Sequence, residues 1–585
     1  MGVLTAQPPS DAPREGQFFG GSSVASLLQG IQGTSPTTST SISNRARPGD
    51  HKDQWTNSME DLLSPAVQFQ FENIVLPPRP LADHLVDCYW TGIHTLYPFI
   101  HKPTFQQSYL RLWAAEPHSA PTESDSKRIG LGDPASSPLI FYCALNAMFA
   151  LGCQYSNPAG AEREAKAEVF LQRSSNLLKQ IDLLDQGELS LVQTLLLSAH
   201  YLQSTPYANR CWNTIGLACR MAQGIGLHST DHDSQWSYDE VQMRRCIWHS
   251  CVMLDVSASM ALGRPAMISR HHGVPLPDVV GDESTRDPVP QVTVFFNLNM
   301  RLFYILGDIL GTVYGPSRAA RTEDGINDDI SRDIEAIKTS LSSFCSTLPR
   351  ALRWEKPDLR GHREQQVLRQ TNILRARYLH LKILLYRPML TRVYRFCQQR
   401  ASSRPSFLDR PELNPSAPSN IIQGYACKCI DAALELIEFL GSTDETHRPI
   451  WWYSVLYMFT SGVVLILATV CSGITQQFSI STLEDAWNQC LVFLEEKVSN
   501  SSSARKCAHD LRKAYDIVRQ TKDQVSDLRG EQQIQQMSEH PNGPPNDGID
   551  WAYGAAGTGE SQGWDDSFLT DLLWDDLITT IPLYF

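Results

Sequence analysis

Few side chains in this sequence combine the residue types and spacing that catalysis or metal binding requires. His271 and His272 are adjacent and could bind a metal ion, but no third ligand lies near them in the chain, which favours exposed loop histidines. Cys427 and Cys429 are two apart on a predicted helix and so point to different faces. Phosphate-binding loops and zinc-protease helices do not occur in the sequence. The sequence predicts no catalytic residue, no metal site and no cofactor.

A charged pair is predicted inside an apolar segment. Asp255 lies within the run CVMLDVSASMALG, and a Gly263-Arg264-Pro265 turn follows it. A buried carboxylate without a partner is costly, so we expect Asp255 to contact an arginine. The candidates are Arg264, Arg220 and Arg245. Such a pair would fix the turn, which is a structural role and not a ligand site.

Two apolar helices are predicted over 209–227 and 238–261. Arg220 lies on the first, Arg245 and Asp255 lie on the second, and the Gly-Arg-Pro turn follows the second. The first carries a helical stripe at three- and four-residue spacing, made of Trp212, Ile215, Cys219, Ala222 and Gly226. Leu217, Met221 and Ile225 lie on its other side, which predicts a helix covered nearly all round. Such helices belong in the interior of a large helical domain.

Helical periodicity continues along most of the chain, and strand signals are almost absent, so the predicted fold class is all-α. The predicted helices are 81–97, 138–154, 160–183, 188–204, 209–227, 238–261, 290–314, 325–348, 362–398, 419–441, 449–471 and 483–497. A further amphipathic helix is predicted from Leu511 to Leu528. It is expected to pack into the core, with a short coiled-coil contact as the alternative.

The segment Ile450 to Cys471 contains 22 residues without a charge, which is long enough to cross a bilayer. We interpret it as a buried core helix, because uniformly apolar helices also fill the interior of large domains. Trp451, Trp452 and Tyr453 at its start could line a ligand pocket. Core packing is the favoured interpretation for such an aromatic run.

Composition changes at both ends of the chain. Residues 1–80 are rich in Ser, Thr, Pro, Gly and Gln and are predicted to be disordered, and 531–548 is predicted to be a linker. Residues 549–585 carry acidic residues and no Lys or Arg. The apolar residues singled out there are Trp564, Phe568, Leu572, Leu573 and Trp574. This composition is typical of acidic activation segments that fold onto a partner's groove; docking onto the chain's own domain is the alternative.

Five motifs in order resemble the fungal-specific transcription factor domain, the regulatory region that follows the zinc binuclear cluster in many fungal activators. They are YPFIHKPTF at 97–105, the Trp212–His228 helix with Arg220, the following Arg-Arg-x-x-Trp, the Gly-Arg-Pro turn with Val-Pro-Leu-Pro, and LHLKILLYRPML near Pro388. The resemblance spans roughly 81–475 and implies a regulatory domain that responds to metabolites or corepressors. The family's six-cysteine zinc cluster is not found, since the first cysteine is Cys88 and no Cys-x-x-Cys occurs.

We therefore expect a nuclear, non-enzymatic transcription regulator with an all-α regulatory domain at 81–530 and an activation tail, controlling a metabolic or biosynthetic gene set. The net charge of −13 disfavours direct attraction to DNA phosphates. DNA would be reached through a DNA-binding partner or a zinc-cluster exon missing from the gene product. Coactivator or mediator proteins would bind the tail, no membrane is expected, and a dimer is left open. The alternative is an all-α enzyme or accessory protein of a biosynthetic pathway.

Overall fold

Helices account for 78% of the residues that the structure describes, and no strand occurs among them, which confirms the predicted all-α class. The structure is a computed structural model. It describes residues 75–114, 129–156, 160–183, 187–231, 233–268, 273–279, 292–315, 326–354, 362–402, 420–471, 477–496 and 504–519. Predictions for the N-terminal segment before residue 75, for His271 and His272, and for everything after residue 519, including the acidic tail, lie outside these ranges.

Fourteen α-helices follow one another along the described ranges. They are α1 Arg79–Tyr89, α2 Lys102–Arg111, α3 Pro138–Cys153, α4 Gly160–Leu178, α5 Leu189–Leu202, α6 Ala208–Gly224, α7 Tyr238–Leu262, α8 Val292–Val313, α9 Ile326–Ser346, α10 His362–Ser402, α11 Asn420–Ser442, α12 Trp451–Val470, α13 Ile480–Glu496 and α14 at 504–519.

Most predicted helices agree with these bounds within a few residues, but the first region differs. One helix was predicted over 81–97, and the next predicted helix began at 138. Instead α1 ends at Tyr89, a π-helical turn spans Trp90–His94, and α2 begins at Lys102. Pro103 lies in the first turn of α2, where its missing N–H has no intrahelical partner to lose.

Helix α10 continues through Pro388. A proline inside a helix cannot donate to the carbonyl four residues earlier, here that of Leu384. The hydroxyl of Tyr314, at the end of α8, donates to that carbonyl over 2.8 Å. A side chain from a neighbouring helix therefore replaces the missing backbone hydrogen bond, which helps the 41-residue helix to remain continuous.

The helices pack around one continuous hydrophobic core. In the first half, α3 contacts α1, α4 and α5, and α6 lies between α5 and α7. In the second half, α10 packs along α11 and contacts α8 and α12, while α13 covers α11 and α12. Helices α7 and α8 contact each other and so join the two halves.

Two helices, at Val292–Val313 and Trp451–Thr469, are long and apolar enough to cross a membrane. The share of the apolar window that is buried inside the protein is 61% for the first and 89% for the second. The second belongs to α12, the segment interpreted from sequence as a core helix, and it contacts α10, α11 and α13. Its burial is that of a core helix surrounded by other helices.

The prediction for α6 was partly wrong. Of the predicted stripe, Ile215, Cys219 and Ala222 are buried, while Trp212 and Gly226 are only half-buried. The helix is not covered all round, because Asn213 and Arg220 are exposed. Helix α6 is thus amphipathic, while α7 is buried continuously from Cys246 to Leu262.

Helix α14 contributes to the core. Leu511, Ala514 and Val518 are 0%, 6% and 8% exposed. The aromatic rings of Trp487 on α13 and Tyr515 on α14 stack with their centroids 4.4 Å apart. This packing agrees with the core interpretation of the described part of the amphipathic segment.

Candidate regulatory site

Helix α7 ends at the Gly-Arg-Pro turn, where the first residue has a backbone conformation that only glycine adopts readily. Helix α7 begins after Ser237, whose hydroxyl accepts a hydrogen bond from the Glu240 N–H. It ends at Gly263, which has a φ of +64° in the left-handed region. The N–H groups of Gly263 and Arg264 both donate to the carbonyl of Ser259. The turn therefore satisfies backbone groups at the helix end.

Asp255 is buried, with 1% of its surface exposed, and it fixes the segment after the turn. One carboxylate oxygen, Oδ2, accepts hydrogen bonds from the N–H groups of Met267 at 2.8 Å and Ile268 at 2.9 Å. Burial raises the pKa of Asp255 to about 6, while these two hydrogen bonds lower it. These hydrogen bonds join Asp255 to the backbone of the segment after the turn.

The predicted arginine partner of Asp255 is wrong, because each candidate has a different environment. Arg264 lies over the ring of Trp212, 5.4 Å from its centroid, and donates to Asn209 at 2.8 Å. Arg245 forms an ion pair with Asp233 at 3.0 Å. Arg220 is exposed on α6. Two backbone N–H groups supply the hydrogen bonds expected from a guanidinium.

The structure thus brings Trp212 and Arg264 together, and the turn places Pro265 on the surface beside them. The cation–π contact joins the half-buried face of α6 to the end of α7. The Val-Pro-Leu-Pro segment after the turn is held by a different residue, His249 on α7. His249 donates from Nε2 to the Pro275 carbonyl at 2.9 Å and accepts at Nδ1 from the Tyr304 hydroxyl at 2.6 Å. Since a carbonyl can only accept, this arrangement assigns the proton to Nε2.

The aromatic run at the start of α12 is mostly core, as the sequence favoured. Trp452 and Tyr453 are 0% and 4% exposed. The indole N–H of the half-buried Trp451 donates to the Gln154 side chain at 3.0 Å, which ties α12 to the end of α3. The indole N–H of Trp452, by contrast, has no hydrogen-bond partner among the described residues.

A buried arginine that the sequence analysis missed lies beside this run. Arg377 on α10 is 4% exposed, and its Nη1 donates to the Oδ1 of the fully buried Asn299 on α8. Its guanidinium carbon lies 4.4 Å from the ring centroid of Phe303 and 5.4 Å from that of Tyr453. The sequence signal was weak, because Arg377 sits among other basic residues just before the LHLKILLYRPML motif, and its spacing does not mark it as buried.

No carboxylate in the described part of the chain pairs with Arg377. Burial lowers the pKa of Arg377, but the phenols of Tyr457, Tyr97 and Tyr453 raise it more, and those of Tyr97 and Tyr457 are hydrogen-bonded to the guanidinium. Burial raises the pKa of Tyr453 and Tyr457, so both stay neutral at pH 7 and offer dipoles and ring faces but no counter-charge. The guanidinium remains protonated because its intrinsic pKa exceeds 12.

His200 on α5 borders the same cluster. Its ring centroid lies 4.5 Å from that of Tyr97 and 5.6 Å from that of Trp452. Burial lowers the pKa of His200 to about 3; Gln203 opposes this shift and Arg377 adds to it. Burial and the two nearby arginines likewise lower the pKa of His380 to about 3. Both imidazoles are therefore neutral at pH 7.

Several buried polar atoms in this region lack a well-aligned partner among the described residues. They include both ring nitrogens of His200, both amide atoms of the adjacent Gln203 and the indole nitrogen of Trp452. Buried polar groups are usually hydrogen-bonded, and atoms of this kind also occur elsewhere in the described core, for example at Trp90 and Trp248. We call Tyr97, His200, Asn299, Arg377, Tyr453 and Tyr457, with Gln203 and Trp452, the Arg377 cluster.

The cysteines form no metal centre in the described ranges, where no group of three His, Cys, Asp or Glu side chains could hold an ion. Cys427 and Cys429 are both buried on α11, and the Cys429 thiol donates to the Ile383 carbonyl. Burial raises the pKa of thiols such as Cys429, to about 12. These cysteines pack as small hydrophobes.

Part of the all-α core matches a known domain. The profile of the fungal specific transcription factor domain matches residues 86–345. Residues 86–345 are therefore similar to this domain, and the curated relatives of the chain are fungal transcription factors. The match ends within α9, while the core continues through helices α10 to α14.

Curated relatives extend the similarity over about three quarters of the chain. Sorbicillinoid biosynthetic cluster transcription factor 2 of Penicillium rubens is 27% identical over 74% of this chain and 60% of its own length. The transcription factor sor3 of the sorbicillinoid cluster in Hypocrea jecorina is 26% identical over 74% and 58%. Transcription factor FBD3 of Fusarium pseudograminearum is 25% identical over 75% and 57%. The chain thus aligns with somewhat less than two thirds of these relatives, and no solved structure matches it.

Proposed function

We propose that this protein is a nuclear transcription regulator that controls a metabolic or biosynthetic gene set and has no catalytic role. The observation that carries the proposal is the match of residues 86–345 to the fungal specific transcription factor domain. Two of the relatives are named as transcription factors of a biosynthetic gene cluster, which supports a metabolic or biosynthetic gene set as the target.

The proposed organisation has a regulatory domain at 81–530, a linker at 531–548 and an activation segment at 549–585. The buried helices of the described core support the first of these, since they form one continuous hydrophobic cluster up to Val518. The residues proposed to contact coactivator or mediator proteins are Trp564, Phe568, Leu572, Leu573 and Trp574. DNA is reached through a DNA-binding partner or a zinc cluster outside the printed sequence, and dimerisation is left open.

The activation role can be tested by fusing residues 541–585 to an unrelated DNA-binding domain and measuring a reporter gene. We expect strong reporter expression, because clustered acidic residues keep the segment solvated and its aromatic side chains available to a partner. A variant with Trp564, Phe568 and Leu572 all changed to Ser should fall to background.

A matched control changes Trp551 and Tyr553 to Ser. This removes two aromatic side chains of the tail other than Trp564 and Phe568, and it should leave most of the activity. A silent wild-type fusion that is present in the nucleus at normal abundance would reject the activation role. It would leave the assignment of residues 86–345 untouched.

A further inference from the structure

We propose that Cys397 and Cys471 are a modification site at which hydrogen peroxide forms a reversible disulfide. Cys397 is the thiol that peroxide attacks, and Cys471 is the thiol that closes the disulfide. The proposal goes beyond the proposed function and does not depend on it. Its physical basis is a contact between two free thiols of which one is accessible to solvent and the other is buried.

The contact between the two thiols is the first argument. Cys397 lies near the end of α10, and Cys471 is the residue that follows α12. These two helices pack against each other, and the side chains of Cys397 and Cys471 are hydrogen-bonded. Two sulfur atoms in hydrogen-bond contact need only a small movement to reach the length of a disulfide, about 2.05 Å.

Access to solvent is the second argument, because it distinguishes this pair from a similar one. Cys397 is half-buried, whereas Cys471 is 0% exposed. The thiols of Cys219 on α6 and Cys251 on α7 are also hydrogen-bonded to each other, but both residues are 0% exposed. A peroxide molecule in water can therefore meet one thiol of the first pair and neither thiol of the second.

The order of ionisation is the third argument. The hydrogen bond to Cys397 and, after it, burial raise the pKa of Cys471 above its usual range. Cys471 therefore keeps its proton and can donate it in a hydrogen bond to the sulfur of Cys397. The thiolate is the form that attacks peroxide, and a donated hydrogen bond stabilises it. An accessible thiol beside a protonated second thiol is the arrangement that peroxide oxidation to a disulfide requires.

The oxidation proceeds in two steps. The Cys397 thiolate attacks one oxygen of hydrogen peroxide, the O–O bond breaks, and the hydroxide that leaves takes up a proton to become water. Cys397 is then a sulfenic acid. The sulfur of Cys471 attacks that of Cys397, the S–O bond breaks, and the departing hydroxide takes the Cys471 proton to form a second water. The two thiols lose two electrons and the peroxide gains two; a dithiol reverses the reaction by exchange.

The position of the disulfide gives the modification a structural effect. It joins the end of α10 to the end of α12, and the loop that it closes contains α11 and α12. Closing a long loop restricts the unfolded chain more than the folded one. The oxidised protein therefore resists separation of these helices more than the reduced protein does.

The test uses the purified full-length protein, reduced with dithiothreitol and then freed of it. Micromolar hydrogen peroxide is added, samples are blocked with N-ethylmaleimide at successive times, and unreduced peptides are analysed by mass spectrometry. We expect a peptide linked through Cys397 and Cys471 of the same chain, which dithiothreitol removes. A peptide linked through Cys219 and Cys251 should form at least about tenfold more slowly, because neither thiol is accessible.

Cys471→Ala tests the order of the two steps. It removes the second thiol, so the sulfenic acid at Cys397 should persist, and dimedone should label it at least about fivefold more than in the wild type. If this variant does not fold, Cys471→Ser gives the same comparison with a side chain of similar size. Cys345→Ala is the matched control: Cys345 is also half-buried, but its side chain is hydrogen-bonded to Tyr378. This control should leave the yield of the Cys397–Cys471 peptide unchanged.

The proposal is overturned if peroxide leaves Cys397 reduced, or oxidises it without joining it to Cys471. Equal rates for the two cysteine pairs also overturn it, because they indicate oxidation of unfolded chains. A disulfide between two chains, seen as a dimer on a non-reducing gel, has the same consequence. Each of these results leaves the proposed regulatory function standing, since transcription is not measured. A silent reporter would likewise leave a positive oxidation result intact.

Discussion

Asp255 is buried near the end of α7 and accepts two hydrogen bonds from backbone N–H groups of the segment after the turn. Its position in an apolar run predicted this burial. The partner was wrong, because a carboxylate can be compensated by backbone N–H groups as well as by arginine, and sequence spacing does not distinguish these donors. Arg377 shows the converse: nothing around it in the sequence marks it as buried, since its surroundings come from α8, α12 and the segment after α1.

The raised pKa of Asp255 predicts a pH-dependent stability. The folded-state pKa is about 6 against an ordinary value of 3.8, so the native protein binds the proton more tightly than the unfolded chain. This contribution is complete below pH 3.8 and is lost as the pH rises through about 6. Asp255→Asn keeps an acceptor for the two N–H groups but cannot ionise. The wild type should therefore lose up to about 3 kcal/mol relative to the variant across that window.

Melting temperatures of the wild type and Asp255→Asn, recorded by circular dichroism at several pH values, check this expectation. Gly424→Ala, a change without a titratable group, serves as the reference for pH effects unrelated to Asp255. Parallel curves for the wild type and Asp255→Asn throughout the window would contradict the prediction.

At the scale of helices, close packing depends on individual small residues. Gly152 on α3 faces the backbone of α1: a Cβ atom at this position would lie 2.2 Å from the carbonyl oxygen of Leu85. That distance is far shorter than any van der Waals contact, and backbone cannot rotate away as a side chain can. The α1–α3 contact therefore requires glycine.

Gly152→Ala should destabilise the protein by about 1–3 kcal/mol, the usual cost of overpacking a core contact. The control is Gly424→Ala on α11, an exposed glycine whose added Cβ would meet no atom within 4 Å. That change should stabilise the protein by about 0.5–1 kcal/mol, because alanine loses less backbone entropy in a helix. Chemical denaturation followed by circular dichroism measures both. Equal stability of the two variants would refute the close-approach argument.

Helix positions could be predicted from the sequence because apolar residues repeat at helical spacing, and the predicted bounds of α3, α7 and α12 are close to the observed ones. Helix α2 was missed because it is short and strongly polar, so that its burial of Phe105 and Tyr109 depends on neighbours distant in sequence. The exposed face of α6 was misjudged for a similar reason. Leu217 and Ile225 are apolar but only partly buried, since no helix covers them completely.

At the scale of the whole molecule, the burial of α12 predicts how the chain partitions between membrane and aqueous fractions. Because 89% of its apolar window is buried by other helices, this surface is not free to face lipid while the domain stays folded. Alkaline carbonate extraction of cell membranes should leave the full-length chain in the supernatant. A bona fide single-span protein in the same lysate, retained in the pellet, is the control. Retention of this chain in the pellet would contradict the core assignment.

The cysteines add a property of a different kind. The described cysteines are free thiols, of which eleven are buried and Cys88, Cys345 and Cys397 are half-buried. A thiol must ionise and meet a reagent to be alkylated, and burial opposes both steps. Most of the thiols therefore become labelled only when the helices around them separate. The alkylation rate of each buried cysteine therefore reports how often the helices around it open. Mass spectrometry of the alkylated peptides measures these rates for individual helices without an engineered probe.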